Sequence, residues 1–154
     1  MTEPLDKAQI NEQIRFLHDL NDKEPRHTTV RVHEDADAIL YRLQRPFNVD
    51  GDWRCFNCVL ALCLESLLNP KPLQPDLFVI PRLQFLNYRL QVPGSEVTRP
   101  RIDRRAWAIA KTLKGEFAYT KHWQRINALL MRALSDNDRL LATCEGVVSV
   151  EEAA

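Results

Sequence analysis

Two groups of residues in this chain have the types and spacing to do chemistry: the cysteines of Cys55-x2-Cys58-x4-Cys63, and the arginines and lysines that follow Pro100. Three thiols so close together first suggest zinc, which takes four thiolate or imidazole ligands in a tetrahedron, usually from two paired chelating turns. Only one C-x2-C is present, and Cys144 is the remaining candidate ligand. His18, His27, His33 and His122 form no close pair. On a helix Cys63 also lies roughly 80° around the axis from Cys55 at about 100° per residue, so the three thiols do not converge. The sequence therefore predicts no metal site and no cofactor, with these cysteines acting as small buried hydrophobes.

A second chemistry would make Cys55 a nucleophile at the start of a helix, its thiolate stabilised by the helix N-terminus and Arg54, with His122 as base. The string Gly51-Asp52-Trp53-Arg54-Cys55-Phe56 resembles the Cys box of papain-like peptidases, in which a Cys followed by an aromatic residue opens a helix. The resemblance covers six residues. It implies a hydrolase, but no Asn or Gln stands just before Cys55, and His122 falls in a helical segment where that family places its His on a strand. No catalytic residue is assigned on this basis. The four glycines are isolated, at 51, 94, 115 and 146, so there is no phosphate-cradling loop. Asp50/Asp52 and Asp136/Asp138 sit where turns and caps use Asp structurally.

Charge is more informative. The chain has 21 basic and 21 acidic residues, but they are unevenly placed. Residues 1–37 carry five basic and nine acidic groups, 38–81 four of each, 82–139 twelve and five, and 140–154 three Glu alone. On a helix after Pro100, Arg101, Arg104, Arg105 and Lys111 share a face, and Lys121, Arg125 and Arg132 recur at 4 and 7 on the next. Guanidinium groups match phosphate oxygens bidentately, so two such stripes suit a nucleic-acid backbone, with Trp107, Tyr119 and Trp123 interleaved as stacking candidates. The plainest alternative is a solvated surface. A docking face for an acidic protein partner is the other functional reading. Residues 109–126 make a poor helix-turn-helix, because Ala110 and Gly115 are one residue too far apart and the turn is long.

The elements that must position these residues follow from apolar spacing. Ile10, Ile14, Leu17 and Leu20 predict a helix over 5–21. Thr28-Thr29-Val30-Arg31-Val32 alternates as one short strand. Ala36, Ile39, Leu40 and Leu43 predict a helix from Glu34 that Pro46 closes. Residues 53–68 read as a central helix that is apolar nearly all round, ended by Pro70. Six of the nine prolines fall within 70–100, which makes that stretch an extended crossover. Within it 77–80 reads as a strand and 82–92 as a helix. Pro100 suits the first turn of a helix running to about Lys114; another spans 120–134, and Ser135 caps a last one over 136–144.

The expected fold is thus mostly α, one domain of about six helices over 1–145 with at most a minor β element and a frayed acidic tail over 146–154. No internal repeat is read. With 45% apolar residues and no net charge the chain is globular rather than disordered. No stretch is long and apolar enough for a membrane span, and the N-terminus is too polar for a signal peptide, so the expected compartment is the cytoplasm. The functional expectation is a non-enzymatic subunit of a larger assembly that binds a nucleic-acid backbone through Arg101, Arg104, Arg105, Lys111, Lys121, Arg125 and Arg132. A protein adaptor or inhibitor using the same face comes second, and a Cys55/His122 hydrolase third.

Overall fold

The computed structural model of the chain describes residues 6–69, 97–113, 122–137 and 139–140. Helix α1 (Lys7–Leu20) opens on a capping box: the Asp6 side chain accepts the Gln9 N–H, and the Gln9 side chain accepts the Asp6 N–H. Its buried residues Ile10, Leu17 and Leu20 belong to the predicted stripe. Strands β1 (His27–Thr29) and β2 (Val32–His33) run directly into α2 (Glu34–Phe47), and α3 (Asp52–Leu68) follows. Later β3 (Val97–Thr98) and β4 (Arg101–Asp103) run directly into α4 (Arg104–Thr112), and α5 (His122–Ser135) follows. The mostly helical class stands, with five helices among the described residues where about six were expected.

Several predicted boundaries are corrected. Pro100 does not open a helix. It lies between two strand segments, and α4 begins at Arg104, behind the N-cap Asp103. Pro46 lies inside α2, and Ser135 ends α5 instead of capping a further helix. The strand over 77–80, the helix over 82–92, most of the helix over 136–144 and the tail lie outside the described residues.

The strand segments form one antiparallel ribbon in two pieces. His27, Thr28 and Thr29 pair with Asp103, Ile102 and Arg101, while Val32 and His33 pair with Thr98 and Val97, so residue numbers add to 130 throughout. Between the pieces the Val30 N–H donates to the Pro100 carbonyl at 3.2 Å. Opposed residues at such a site normally exchange two bonds, but proline has no N–H to return the second. That missing donor interrupts the ladder.

A shift of 70 residues carries the first strand–helix–helix unit onto a second: α2 starts at 34 and α4 at 104, α3 at 52 and α5 at 122. The chain therefore contains an internal repeat that the sequence reading did not find. Thr28/Thr98, Arg31/Arg101, Ala36/Ala106, Ile39/Ile109, Leu43/Leu113, Trp53/Trp123, Asn57/Asn127, Leu60/Leu130 and Leu64/Leu134 are identical across the shift. Of these, both alanines at 36/106 and both leucines at 43/113, 60/130 and 64/134 are buried, as are Val32 and its counterpart Ile102. Even a hydrogen bond repeats. Cys55 Sγ donates to the Leu40 carbonyl at 3.0 Å, and the residue 70 further on, Arg125, donates to the carbonyl of Ala110, 70 beyond Leu40, also at 3.0 Å.

The two units interlock. β4 of the second packs on α3 of the first, and β2 of the first packs on α5 of the second; likewise α2 meets α5, α3 meets α4, and α3 meets α5. One hydrophobic core results, running from Leu17 and Leu20 through Phe56, Leu60 and Leu64 to Ile126 and Leu130. Where the register and the shift coincide, at the Val30/Pro100 pair, an approximate two-fold axis crosses the ribbon.

Candidate nucleic-acid interface

Side chains alternate across a strand, so a ribbon lying on a core must be apolar on one face and free on the other. Val30, Val32, Pro100 and Ile102 are buried and Thr28 is half-buried, which gives the inner face. His27, Thr29, Arg31, Arg99 and Arg101 are exposed on the outer face. Because Val30 and Pro100 occupy a hydrogen-bonded pair position, the alternating pattern makes 29/101 and 31/99 the non-bonded pairs, where opposed Cα atoms approach to about 4.5 Å. Arg31 thus stands directly opposite Arg99, and Thr29 opposite Arg101. Like charges opposed on a ribbon are destabilising, by roughly 0.2–1 kcal/mol per pair. Among the described residues no carboxylate forms an ion pair with Arg31, Arg99 or Arg101.

One outward position breaks the pattern. Asp103 is fully buried because it caps α4. It accepts the Arg105 N–H at 2.8 Å, the Arg26 N–H at 3.1 Å, and the Arg105 guanidinium at 3.1 Å and 2.9 Å. Burial alone would raise its pKa. The hydrogen bonds from the Arg105 side chain and from the Arg26 and Arg105 amides, together with the Arg105 charge, outweigh burial and hold the carboxyl below its ordinary value. The same contact raises the pKa of Arg105, which also donates to the Glu24 carbonyl at 3.2 Å. This anchor fixes one end of the ribbon. There the Arg104 N–H donates to the Arg26 carbonyl at 2.7 Å, and both side chains are exposed.

Next to that end, the His27 ring meets Trp53 edge-on with centroids 6.0 Å apart, and the Arg54 guanidinium lies 4.4 Å over the Trp53 ring. Gly51 makes room for the indole. At φ 95° it occupies a conformation that side chains disfavour, and a Cβ there would meet Trp53 Nε1 at 3.2 Å.

Of the seven basic residues expected to form one face, the six that are described are dispersed. Arg101 lies on the ribbon and Arg104 at its end, both exposed. Arg105 is held by Asp103. Lys111 is exposed, with its ammonium 5.9 Å over the Trp107 ring. Arg125 is directed inward to the Ala110 carbonyl, and burial lowers its pKa. Arg132 pairs with Asp136 at 3.0 Å and meets Ser66 Oγ at 3.4 Å. Lys121 lies outside the described residues. Helical spacing misplaced Arg101 because residues 101–103 are strand, and it could not foresee the contacts that hold Arg105, Arg125 and Arg132. The exposed arginines of the ribbon that the helical spacing did not pick out are Arg31 and Arg99, with Arg26 beside them. Their signal was the period-two run Thr29-Val30-Arg31-Val32 and its echo Arg99-Pro100-Arg101-Ile102.

The cysteines are built into helix packing. Cys55 and Cys63 are buried, with Cys63 Sγ contacting the Leu129 carbonyl at 3.4 Å. Cys58 is half-buried and receives a hydrogen bond from Asn21 Nδ2 at 3.6 Å. Burial raises the Cys58 pKa against the lowering effect of that bond. A fully buried Cys55 whose thiol donates to a backbone carbonyl lacks the access that a nucleophile needs. Among the described residues no three His, Cys, Asp or Glu side chains gather where they could hold a metal, and no helix is long and apolar enough to cross a membrane. No family model, curated protein or solved structure matches the chain.

Proposed function

We propose that this chain binds duplex DNA by laying the outer face of the ribbon into the major groove. The observation that carries the reading is the exposure of three arginines, Arg31, Arg99 and Arg101, at the four outward positions around the ribbon's centre, where the register shared by both pieces sets Arg31 opposite Arg99. An opposed pair of cations costs stability in the free protein and is relieved by an anion. The major groove, about 12 Å wide, admits a two-stranded ribbon and offers phosphates at its walls with guanine acceptors on its floor. Arg26 and Arg104 at the ribbon end are placed for the phosphates, while the ribbon arginines are placed for the bases. The cost at the centre and the ribbon shape favour DNA over an acidic protein, for which a loose basic patch would serve.

The test is fluorescence anisotropy with a duplex and with single-stranded DNA and RNA of the same sequence, at about 50 and 200 mM salt. Duplex binding should be the tightest of the three, and log K should fall with log salt at a slope of about −3 or steeper, near 0.9 per phosphate contact. The triple variant Arg31→Ala, Arg99→Ala, Arg101→Ala should bind at least about 100-fold more weakly, with its helical circular dichroism intact. No duplex binding at the lower salt, or tighter binding to single-stranded RNA, overturns the reading.

A further inference from the structure

The repeat and the register together point to how the DNA would be read, resting on the DNA-binding reading above. We infer that one copy of this chain reads a non-palindromic duplex site. Proteins that present a symmetric surface to DNA usually do so as dimers, and the two-fold symmetry of the dimer is mirrored in the site. Here both strands of the ribbon belong to one chain, and so do both supporting helix pairs. The ribbon needs no second copy, and its two halves are free to differ.

They do differ, at identifiable positions. The shift of 70 maps Arg31 onto Arg101, so the axis leaves these two alike. It maps Thr29 onto Arg99, and these are unlike. One half of the ribbon therefore presents Thr29 beside Arg101, and the other Arg31 beside Arg99. Arginine pairs bidentately with guanine O6 and N7, while threonine packs on a thymine methyl or makes a single hydrogen bond. The Arg31/Arg99 half suits guanines at two positions, the Thr29/Arg101 half at one. The ends diverge as well: Arg104 at one end corresponds to Glu34 at the other. The ribbon from 27 to 33 spans about 20 Å, on the order of six base pairs, so both halves fit within one short site.

The experiment selects binding sequences for the intact chain from a duplex pool randomised over a stretch longer than the ribbon, then weighs the complex with the winning sequence by sedimentation. The expected result is an asymmetric consensus bound by one chain per duplex, with about ten-fold or greater loss on changing a guanine in the Arg31/Arg99 half. Arg99→Thr makes the positions related by the axis identical, so the central base pairs selected by this variant should move toward two-fold symmetry, still with one chain per duplex. Should that variant fold poorly, Thr29→Arg makes the same positions identical from the other side. A palindromic consensus for the unmodified chain, or two chains per site, overturns the inference. Salt-dependent duplex binding without any enriched sequence also overturns it while leaving DNA binding intact, whereas absence of duplex binding removes both.

Discussion

Residues 27–68 and the unit that begins at Val97 share one scaffold, and the contrast between them separates what the scaffold needs from what varies upon it. Inward positions are kept as identical or similar apolar residues: Val32 with Ile102, Ala36 with Ala106, Leu43 with Leu113, Leu60 with Leu130. Polar tasks are kept while the residue changes. Cys55 and Arg125 donate to equivalent carbonyls with side chains that share only a donor. Exposed positions are free to diverge, as Thr29 against Arg99 shows, although Arg31 and Arg101 stay alike. Packing tolerates few shapes and a carbonyl accepts from any donor in reach, whereas an exposed position is constrained only by what it meets.

Four measurements test that contrast, beginning with the largest effect. Leu60→Ala and Leu130→Ala remove equivalent side chains from the shared core, and each should destabilise by about 2–5 kcal/mol. Because the units interlock, denaturant curves followed at Trp53 and Trp123 should move together for both variants. Separate transitions would show two independent halves.

The units next differ at the ribbon's end, where Asp103 occupies the position that His33 holds in the first. Asp103→Asn leaves the Arg105 guanidinium without its anion and should cost about 1–3 kcal/mol. A carboxyl whose folded pKa is depressed stabilises the fold above its unfolded value, near 3.9, and that contribution is lost as pH falls through the lower folded value. Acid titration of thermal stability should therefore show a loss below about pH 4 that is smaller in Asp103→Asn. An unchanged acid profile would assign the dependence elsewhere.

A smaller effect has the opposite sign. Arg99→Ala removes the charge opposed to Arg31, and at low salt it should raise stability by roughly 0.2–1 kcal/mol while weakening DNA binding. Added salt should erase the gain. A variant that is destabilised at every salt concentration would show that the arginine serves the fold. The smallest effect concerns thiols: at neutral pH iodoacetamide should label Cys55, Cys58 and Cys63 only slowly, with Cys58 the first to react as pH is raised past 9 and Cys55 silent until denaturant is added. Rapid labelling of Cys55 in the folded chain would revive its candidacy as a nucleophile.

Much of the helical layout is legible in the sequence because burial imposes a period. The stripes of α1 and α2, the apolar α3 and the Ile126, Leu130, Leu134 face of α5 all read correctly. The ribbon was half visible. Residues 28–32 alternate plainly, but their partner strand contains Pro100, which by propensity reads as the first turn of a helix. Only the pairing with Val30 reveals that the proline sits where one ladder bond is forgone. That misassignment turned Arg101 into a helical residue, and helical spacing alone could not show that Arg105 is held by Asp103 or that Arg125 reaches the Ala110 carbonyl. The repeat escaped for a related reason: its identities are sparse apolar residues common to many helices, and their shared spacing gains meaning only when two strands are seen to pair around one axis.

Pro100 also bears on how the chain avoids its own copies. During synthesis the strand at 27–33 emerges some 70 residues ahead of its partner, a wait of about 4–14 s at 5–20 residues per second, with an unpaired edge that other nascent chains could join. Two second units pairing with each other in the same register would set proline against proline at the centre, where neither has an N–H to donate and both ladder bonds vanish. Against Val30 one of the two survives. The residue that interrupts the ribbon thereby disfavours self-association of the later unit and leaves it a better match for the strand already waiting on its own chain.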